Sequence, residues 1–324
     1  MVNRQPSGER ARPSAGYVHD ALFYDTDAEL VATAAPFLRD ALAAGERAVI
    51  ACAESRAALL TEAVGDDPRV SLLPYQEVFR RTPGAIAYYQ AMMERELAAG
   101  TTRVRLIGEV DFGAGPAQWR EWIRFEAACN HALASYPLWS VCLYDRRRLS
   151  DEVLSSGSLT HPFLHRDGAQ EENGEYQQPD AYLRSSVELG PDPIEATGQK
   201  LRVDNATDVA SLRRILTVAL QGECDLPRMT MDGFVVSVSE VVTNALKYGH
   251  PPVSVQLFAT RTRALCVVTD RGTGFDNPFA GYLRPVDIEA GEGGLGLWLT
   301  RQLCDQVDIA LAPEGFTVRL AVGS

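Results

Sequence analysis

Two different arrangements of apolar runs predict an α/β domain followed by an α+β sandwich. In the first half of the 324-residue chain, short apolar runs alternate with stretches of helical spacing, which is typical of a parallel sheet covered by helices. In the second half, helices follow one another and strands come in pairs, which is typical of helices packed on one face of a mixed sheet. The length also suits two domains, each with its own core.

The first domain is placed at residues 17–164, after a tail at residues 1–16. The tail is polar and lacks the apolar centre of a signal peptide, so we predict that it is disordered. Largely aliphatic or aromatic runs predict strands at 21–24, 47–53, 69–73, 102–110 and 137–144. Helical spacing between these strands predicts helices at 27–44, 55–64, 83–99 and 116–134.

The second domain is placed at residues 183–324, after a linker at residues 165–182. The linker is predicted because this segment is rich in Gln and Glu and short of aliphatic residues. Beyond it we predict strands at 200–204, 252–260 and 263–270, helices at 208–221, 227–248 and 294–307, and a closing hairpin at 307–322.

Composition excludes several classes of function. The net charge of −12 disfavours nonspecific binding to nucleic acid or to anionic membranes. No apolar run approaches the roughly 18 residues of a membrane span. The six cysteines include no C-x-x-C pair, so we expect buried, reduced thiols in a cytoplasmic protein. No group of His or Cys has the spacing of a zinc site, and no such site is expected.

Three motifs in the second domain carry candidate chemistry. In SEVVTNALKYGH, residues 239–250, Glu240 and Asn244 are four residues apart on a largely apolar helix and therefore share one face. The pair forms either a polar stripe in solvent or a group of oxygen atoms directed into a site. TDRGTGFD, residues 269–276, places Asp270 at a strand end before two glycines, which is typical either of a tight turn or of close approach to a ligand.

The third motif, GEGGLGLWLTRQL at residues 291–303, is a glycine-rich loop that opens into an apolar helix. Free N–H groups at such a helix start can bind an anion, although a flexible loop before a core helix gives the same pattern. It is not a Walker loop, because no Lys-Ser or Lys-Thr follows.

The order and spacing of the three motifs over residues 198–322 resemble the GHKL (Bergerat-fold) ATPases, the superfamily of gyrase, heat-shock chaperone, histidine kinase and MutL. The resemblance implies ATP and Mg²⁺ as ligands. It implies that Asn244 coordinates Mg²⁺, that Glu240 orients or deprotonates the nucleophile, and that Asp270 accepts from the adenine amino group. It further implies nucleotide contacts from Gly272, Gly274, Gly294, Gly296 and Thr317, and a mobile lid at residues 277–293.

Within that superfamily, the compact layout and the stretch GLWLTRQLCDQVDI resemble the anti-sigma factor kinases of bacterial partner switching. This implies phosphoryl transfer from ATP to a Ser or Thr of an anti-anti-sigma (STAS) partner, sequestration of a sigma factor, or both, with a homodimer as a candidate state. The chain departs from the family at two positions. Tyr248 stands where a His is frequent, and Leu295 stands where an Arg is frequent.

Two other functions stay open. One is an ATP-binding anti-sigma switch that does not transfer phosphate. The other is a sensor histidine kinase, which needs a phosphoacceptor His in an H-E-x-x-T-P context. None of the five histidines has that context: His19, His131, His161, His165 and His250.

The first domain contains HDALFYDTDAEL, FLRDALAAGERAVI and GEVDFG, and these stretches resemble the MEDS, or DcmR-type, sensory domain. The resemblance implies a RecA-like fold and an input role. The first strand-to-helix turn, YDTDAEL, has neither Gly nor Lys, so no phosphate cradle is expected there. Glu109 and Asp111 follow a strand where a P-loop enzyme would place acidic residues, and here they are expected to be solvated or to cap a helix.

Overall fold

The N-terminal domain is built on a seven-stranded sheet. The fold is given by a computed structural model that describes residues 16–65, 67–113, 115–166, 168–185, 190–283, 294–312 and 315–323. The strands are β1 (Val18–Tyr24), β2 (Arg47–Ala51), β3 (Val70–Leu72), β4 (Val104–Gly108), β5 (Leu138–Asp145), β6 (Phe163–Arg166) and β7 (Ala169–Glu172). Their order is β3-β2-β4-β5-β1-β6-β7, and every neighbouring pair is parallel except β6 with β7.

Helices cover both faces of this sheet, as predicted for a parallel α/β domain. They are α1 (Asp27–Ala43), α2 (Glu54–Val64), α3 (Tyr75–Val78), α4 (Thr82–Ala98), α5 (Pro116–Ala132), α6 (Asp151–Thr160) and α7 (Pro179–Ser185). Consecutive strand residues enter opposite cores, because side chains alternate across a sheet. Ala21 packs in the core that includes α4 and α5, whereas Leu22 packs in the core that includes α1 and α2.

The segment predicted to be a linker, residues 165–182, is folded, and that prediction is corrected here. It contains the end of β6, all of β7 and the start of α7, and β6 pairs with β1 in the main sheet. Its polar composition has a structural cause. The AQEE strand β7 lies at the sheet edge, where side chains face solvent and charges protect the edge. Tyr182 and Leu183 of α7 are buried in the N-terminal core.

The C-terminal domain is an α+β sandwich, as predicted. After a 3₁₀ helix (Pro193–Thr197) come β8 (Gln199–Val203), α8 (Val209–Glu223), α9 (Arg228–Tyr248), β9 (Ser254–Ala259), β10 (Arg263–Asp270), α10 (Leu295–Leu303), β11 (Gln306–Ala312) and β12 (Gly315–Gly323). The sheet order is β11-β12-β10-β9-β8. All neighbours are antiparallel rather than mixed, since hairpins join β9 to β10 and β11 to β12.

One face of this second sheet packs under α8, α9 and α10, and this arrangement positions the candidate site. The apolar stripe of α9 includes Phe234, Val238 and Val242, all of which are fully buried. The opposite face is covered in part by Ile194 of the 3₁₀ helix. No helix in the described part of the chain is both long and apolar enough to cross a membrane. All six cysteines are buried and unpaired, which confirms that part of the prediction.

Candidate functional site

A cavity of about 810 Å³ lies between α9, the ends of β10 and β12, and the start of α10. Its volume falls within the roughly 300–1,000 Å³ typical of small-molecule sites. One face of α9 forms a wall through Val241, Asn244, Ala245 and Tyr248, which recur at helical spacing. The strands contribute Val268, Asp270, Phe316 and Val318, which recur at every second position.

Asp270 is the buried carboxylate of this cavity, with only 4% of its surface exposed. Its Oδ1 accepts hydrogen bonds from the backbone N–H of Gly272 at 2.6 Å and of His250 at 3.2 Å. Among the described residues, both donors to this carboxylate therefore bind the same oxygen, Oδ1. The other oxygen, Oδ2, remains available to accept a hydrogen bond from a ligand in the cavity.

The two glycines after Asp270 leave no room for side chains. A Cβ atom on Gly272 would lie 2.6 Å from Oδ1 of Asp270, so a side chain would push the carboxylate out of place. Gly274 lines the cavity and has a φ of +77°, where a side chain is strained. A Cβ atom there would also lie 2.5 Å from the ring of Phe316. This loop is therefore built for close approach of its backbone to the cavity.

Glu240 and Asn244 meet the first turn of α10. A Cβ atom on Gly296 would lie 2.8 Å from Oε2 of Glu240 and 3.7 Å from Nδ2 of Asn244. The absence of a side chain at Gly296 thus lets the backbone of α10 contact both polar groups. Asn244 and Gly294 line the cavity, but Glu240 does not belong to its described lining. The structure therefore brings together Asn244, Asp270 and the glycines, with Glu240 directly beside them.

Thr317 differs from the other predicted site residues, because it is absent from the described lining of the cavity and its side chain points away from it. Its neighbours Phe316 and Val318 line the cavity. Because side chains alternate along a strand, Thr317 projects from the opposite face of the sheet. There its hydroxyl lies 3.0 Å from that of Thr269, its partner on β10. Period-2 alternation in the sequence separates Thr317 from Phe316 and Val318, but it does not say which of the two sets faces the cavity.

The N-terminal domain contributes to the same cavity through α5, which no sequence motif indicates. His131 of α5 lines the cavity and stacks on Phe279, with ring centres 4.0 Å apart and an angle of 14° between the planes. Tyr282 is fully buried in the N-terminal core, and Arg124 donates to its hydroxyl at 3.1 Å. Burial raises the pKa of Tyr282, so its hydroxyl stays protonated.

The segment predicted to be a mobile lid, residues 277–293, is described only as far as residue 283. Within that part, Phe279, Ala280, Gly281 and Leu283 line the cavity. Residues 284–293, including the first glycines of the glycine-rich loop, lie outside the described residues. The described part of the segment thus lines the cavity and contacts helix α5.

A buried ion pair fastens α10 to the N-terminal domain. Nη1 of Arg301 donates to both oxygens of Glu121, at 2.8 and 3.0 Å, and to the carbonyl of Val307 at 3.1 Å. Glu121 also accepts from the N–H of Val307 at 3.0 Å. Burial by itself lowers the pKa of Arg301, but Glu121, Tyr282 and Asp308 together raise it, so the guanidinium stays charged. Gly294 is the N-cap of this helix and Gly296 lies in its first turn, so the contact joins the two domains next to the cavity.

Comparison with protein families agrees with this architecture. Residues 18–162 match the model of the MEDS family, the MEthanogen/methylotroph, DcmR Sensory domain. Residues 203–322 match the model of the histidine kinase-like ATPase domain. No curated protein matches the chain. The chain therefore joins two known modules, an N-terminal MEDS sensory domain and a C-terminal histidine kinase-like ATPase domain. Both recognitions made from the sequence are confirmed.

Proposed function

We propose that the C-terminal domain binds Mg-ATP and transfers its γ-phosphoryl group to a Ser or Thr of an anti-anti-sigma (STAS) protein, sequesters a sigma factor, or does both. The observation that carries the proposal is the cavity that unites Asp270, Asn244 and the start of α10. The family match supports an ATP-dependent, kinase-like activity. The choice of Ser or Thr and of these partners rests on the resemblance to anti-sigma factor kinases.

The residues present fit a purine nucleotide. Oδ2 of Asp270 is an acceptor held in place for the adenine amino group, and Val268 and Val318 offer apolar contact to a ring. The free backbone N–H groups of the first turn of α10 suit the phosphates, because a helix start binds anions. The side-chain oxygen of Asn244 suits Mg²⁺, which would neutralise phosphate charge when bound. Glu240 would orient the attacking hydroxyl.

One observation favours a second function, an ATP-dependent switch that holds its partner without phosphoryl transfer. Oε2 of Glu240 lies against Gly296, and Glu240 is absent from the described lining of the cavity. A general base needs hydrogen-bond reach to the proton that it abstracts. A sensor histidine kinase is disfavoured, because the chain has no His between His165 and His250 and His165 is a buried residue of β6.

The MEDS domain is proposed to be the input module of this regulator. Helix α5 of this domain lines the cavity with His131. It also contacts Tyr282 through Arg124 and α10 through Glu121. A shift of α5 would therefore reach the walls of the nucleotide site directly.

The test uses the full-length protein, Mg-ATP and a panel of STAS proteins and sigma factors from the same genome. Calorimetry measures ATP affinity, and labelled ATP measures transfer. We expect Glu240→Gln to bind Mg-ATP like the parent and to transfer phosphate about 10²–10⁴-fold more slowly. Asp232→Asn, an exposed change on the same helix, should match the parent in both measurements.

The outcomes separate the candidate functions. A parent that transfers phosphate to no partner but holds a sigma factor only with ATP is a switch rather than a kinase. Acid-labile phosphate on the chain itself would identify a histidine kinase. Absence of ATP binding by the folded parent would overturn the assignment of the site.

A further inference from the structure

Four buried side chains with metal-ligating atoms meet inside the MEDS domain, away from the nucleotide cavity. They are His19 of β1, Glu126 of α5, Cys142 of β5 and His161, which directly follows α6. Each is at most 8% exposed. Their ligand atoms all lie within 4.8 Å of one another. The proposed kinase chemistry uses none of them.

Hydrogen bonds of Asn130 fix which ring nitrogen of His19 carries the proton. The amide nitrogen of Asn130 donates to the carbonyls of Glu126 at 3.3 Å and Thr160 at 2.8 Å, so its Oδ1 must face His19. That oxygen lies 3.1 Å from Nδ1 of His19, which therefore carries the proton and donates. In the neutral ring, the lone pair of Nε2 then points into the cluster.

His161 is held in the same way. Its Nδ1 lies 2.9 Å from the carbonyl of Gly157, and a carbonyl can only accept, so Nδ1 donates. Histidines that bind a metal through one ring nitrogen usually donate a hydrogen bond from the other, and this bond fixes the tautomer. The lone pair of its Nε2 therefore faces Oε2 of Glu126, at 3.5 Å.

When both rings are neutral, this arrangement directs electron-rich atoms at one another. Oε2 of Glu126 lies 3.1 Å from Nε2 of His19 as well as 3.5 Å from Nε2 of His161. Two lone pairs and a carboxylate oxygen repel each other unless a positive charge lies between them. In addition, Nε2 of His161 and Oε1 of Glu126 are buried without a hydrogen-bond partner among the described residues. Groups of this kind call for a bound ion or for added protons.

We propose that His19, Glu126, Cys142 and His161 bind one divalent transition-metal ion of the zinc class. Zinc takes His nitrogen, Cys sulfur and carboxylate oxygen at about 2.0–2.3 Å, and a tetrahedron with such bonds has edges of roughly 3.3–3.8 Å. Four of the six separations between ligand atoms are close to these edges, and all six are within 4.8 Å. Cys142 Sγ lies 3.2 Å from Nε2 of His19 and 3.6 Å from Oε2 of Glu126, and the two separations to Glu126 given above are similar.

Charge and ligand type both select this kind of ion. One thiolate and one carboxylate neutralise a divalent cation, so the buried site would carry no net charge. Thiolate and imidazole ligands suit zinc and its neighbours, whereas Mg²⁺ and Ca²⁺ prefer sets of oxygen atoms. A cavity of about 20 Å³, lined in part by His19, Glu126 and Cys142, adjoins the site.

The proposed site runs counter to the expectation, drawn from ligand spacing, that the chain has no zinc site. The four ligands come from separate elements, so no spacing motif exists in the sequence. Glu126 shares α5 with Glu121, Arg124 and His131, the residues that contact the ATPase domain. A metal ion on Glu126 would therefore bind the helix that joins the two domains.

The first experiment measures metal binding by the full-length protein after removal of any affinity tag and treatment with a chelator. Zn²⁺ is titrated against a competing chelator, and Co²⁺ is followed by its absorption. We expect one Zn²⁺ per chain and a thiolate-to-cobalt charge-transfer band. X-ray absorption of the zinc form should show one sulfur at about 2.3 Å and lighter ligands at about 2.0–2.1 Å.

A matched pair of variants locates the ligand. Cys142→Ser should lose the charge-transfer band and weaken Zn²⁺ binding by more than the roughly 10- to 100-fold that loss of an outer partner costs. Cys129→Ser removes another buried thiol of the same core, and it should keep both the charge-transfer band and the Zn²⁺ affinity of the parent. Absence of tight Zn²⁺ binding by the folded parent, or a zinc ion without a sulfur ligand, would overturn the proposal. In the former case the cluster holds protons instead. The X-ray absorption of the parent decides the matter even if Cys142→Ser does not fold.

Discussion

Asp270→Asn offers a sharp test of the nucleotide site, because the surrounding backbone dictates how the new amide must lie. The N–H groups of Gly272 and His250 both donate to Oδ1. An asparagine must keep its oxygen at that position, since its NH₂ group would clash electrostatically with two donors. The NH₂ group therefore replaces Oδ2 in the cavity, and an acceptor becomes a donor.

The loss of affinity follows from that exchange. A hydrogen bond to a charged group contributes about 1.5–3 kcal/mol, and each 1.4 kcal/mol changes a dissociation constant tenfold. We therefore expect Asp270→Asn to bind ATP roughly 10- to 100-fold more weakly than the parent. Guanine carries a carbonyl where adenine carries its amino group, so the variant should lose much of any preference for ATP over GTP.

The assay is calorimetry of the full-length protein with Mg-ATP and Mg-GTP, with circular dichroism to confirm folding. Asp276→Asn, an exposed change in the same loop, is the control and should bind like the parent. If Asp270→Asn retains both the ATP affinity and the ATP preference of the parent, Asp270 does not read the base and the proposed orientation of the nucleotide is wrong.

Three further predictions concern the contacts around the site. Glu121→Gln removes the carboxylate that Arg301 contacts directly, and chemical denaturation should show a loss of about 3–5 kcal/mol in the free energy of unfolding. A change confined to a few tenths of a kcal/mol would refute the buried pair. Gly296→Ala brings a methyl group to 2.8 Å from the flexible end of the Glu240 side chain. The temperature of thermal unfolding should therefore change little, while the rate of phosphoryl transfer falls. An unchanged rate would contradict the position of α10. Thr317→Val should leave ATP affinity within about twofold of the parent in the calorimetric assay, because its side chain lies on the far face of the sheet; a large loss would restore the family expectation for this residue.

The inter-domain contacts give the MEDS domain a physical route to the ATPase domain. The route runs through α5, which presents Glu126 to the buried cluster and His131 to the nucleotide cavity. These residues are five positions apart on one helix, so a ligand that moves one end of α5 also moves the wall of the cavity. Such coupling requires two arrangements of the helix that ligands favour unequally.

The sequence by itself determined both domain types and most of the candidate nucleotide site. Period-2 and helical apolar patterns are local, and they located every strand and α-helix described in the C-terminal domain. In the N-terminal domain they located most of the elements, but β6, β7, α3, α6 and α7 were not predicted. The glycines at 272, 274 and 296 were also readable, because a missing side chain is a local feature whose contacts the structure later supplied.

Only the tertiary structure decided which face each strand residue presents and what the two domains share. Thr317 lies on the face of the sheet opposite the cavity because the register of β12 against β10 sets its direction, and register is a long-range property. The polar AQEE sequence of β7 predicts a linker, and only its pairing with β6 shows that it is an edge strand. The His19, Glu126, Cys142 and His161 cluster and the Arg301–Glu121 pair unite residues from distant parts of the chain. No local pattern records such contacts, because they arise from the packing of elements rather than from neighbours in sequence.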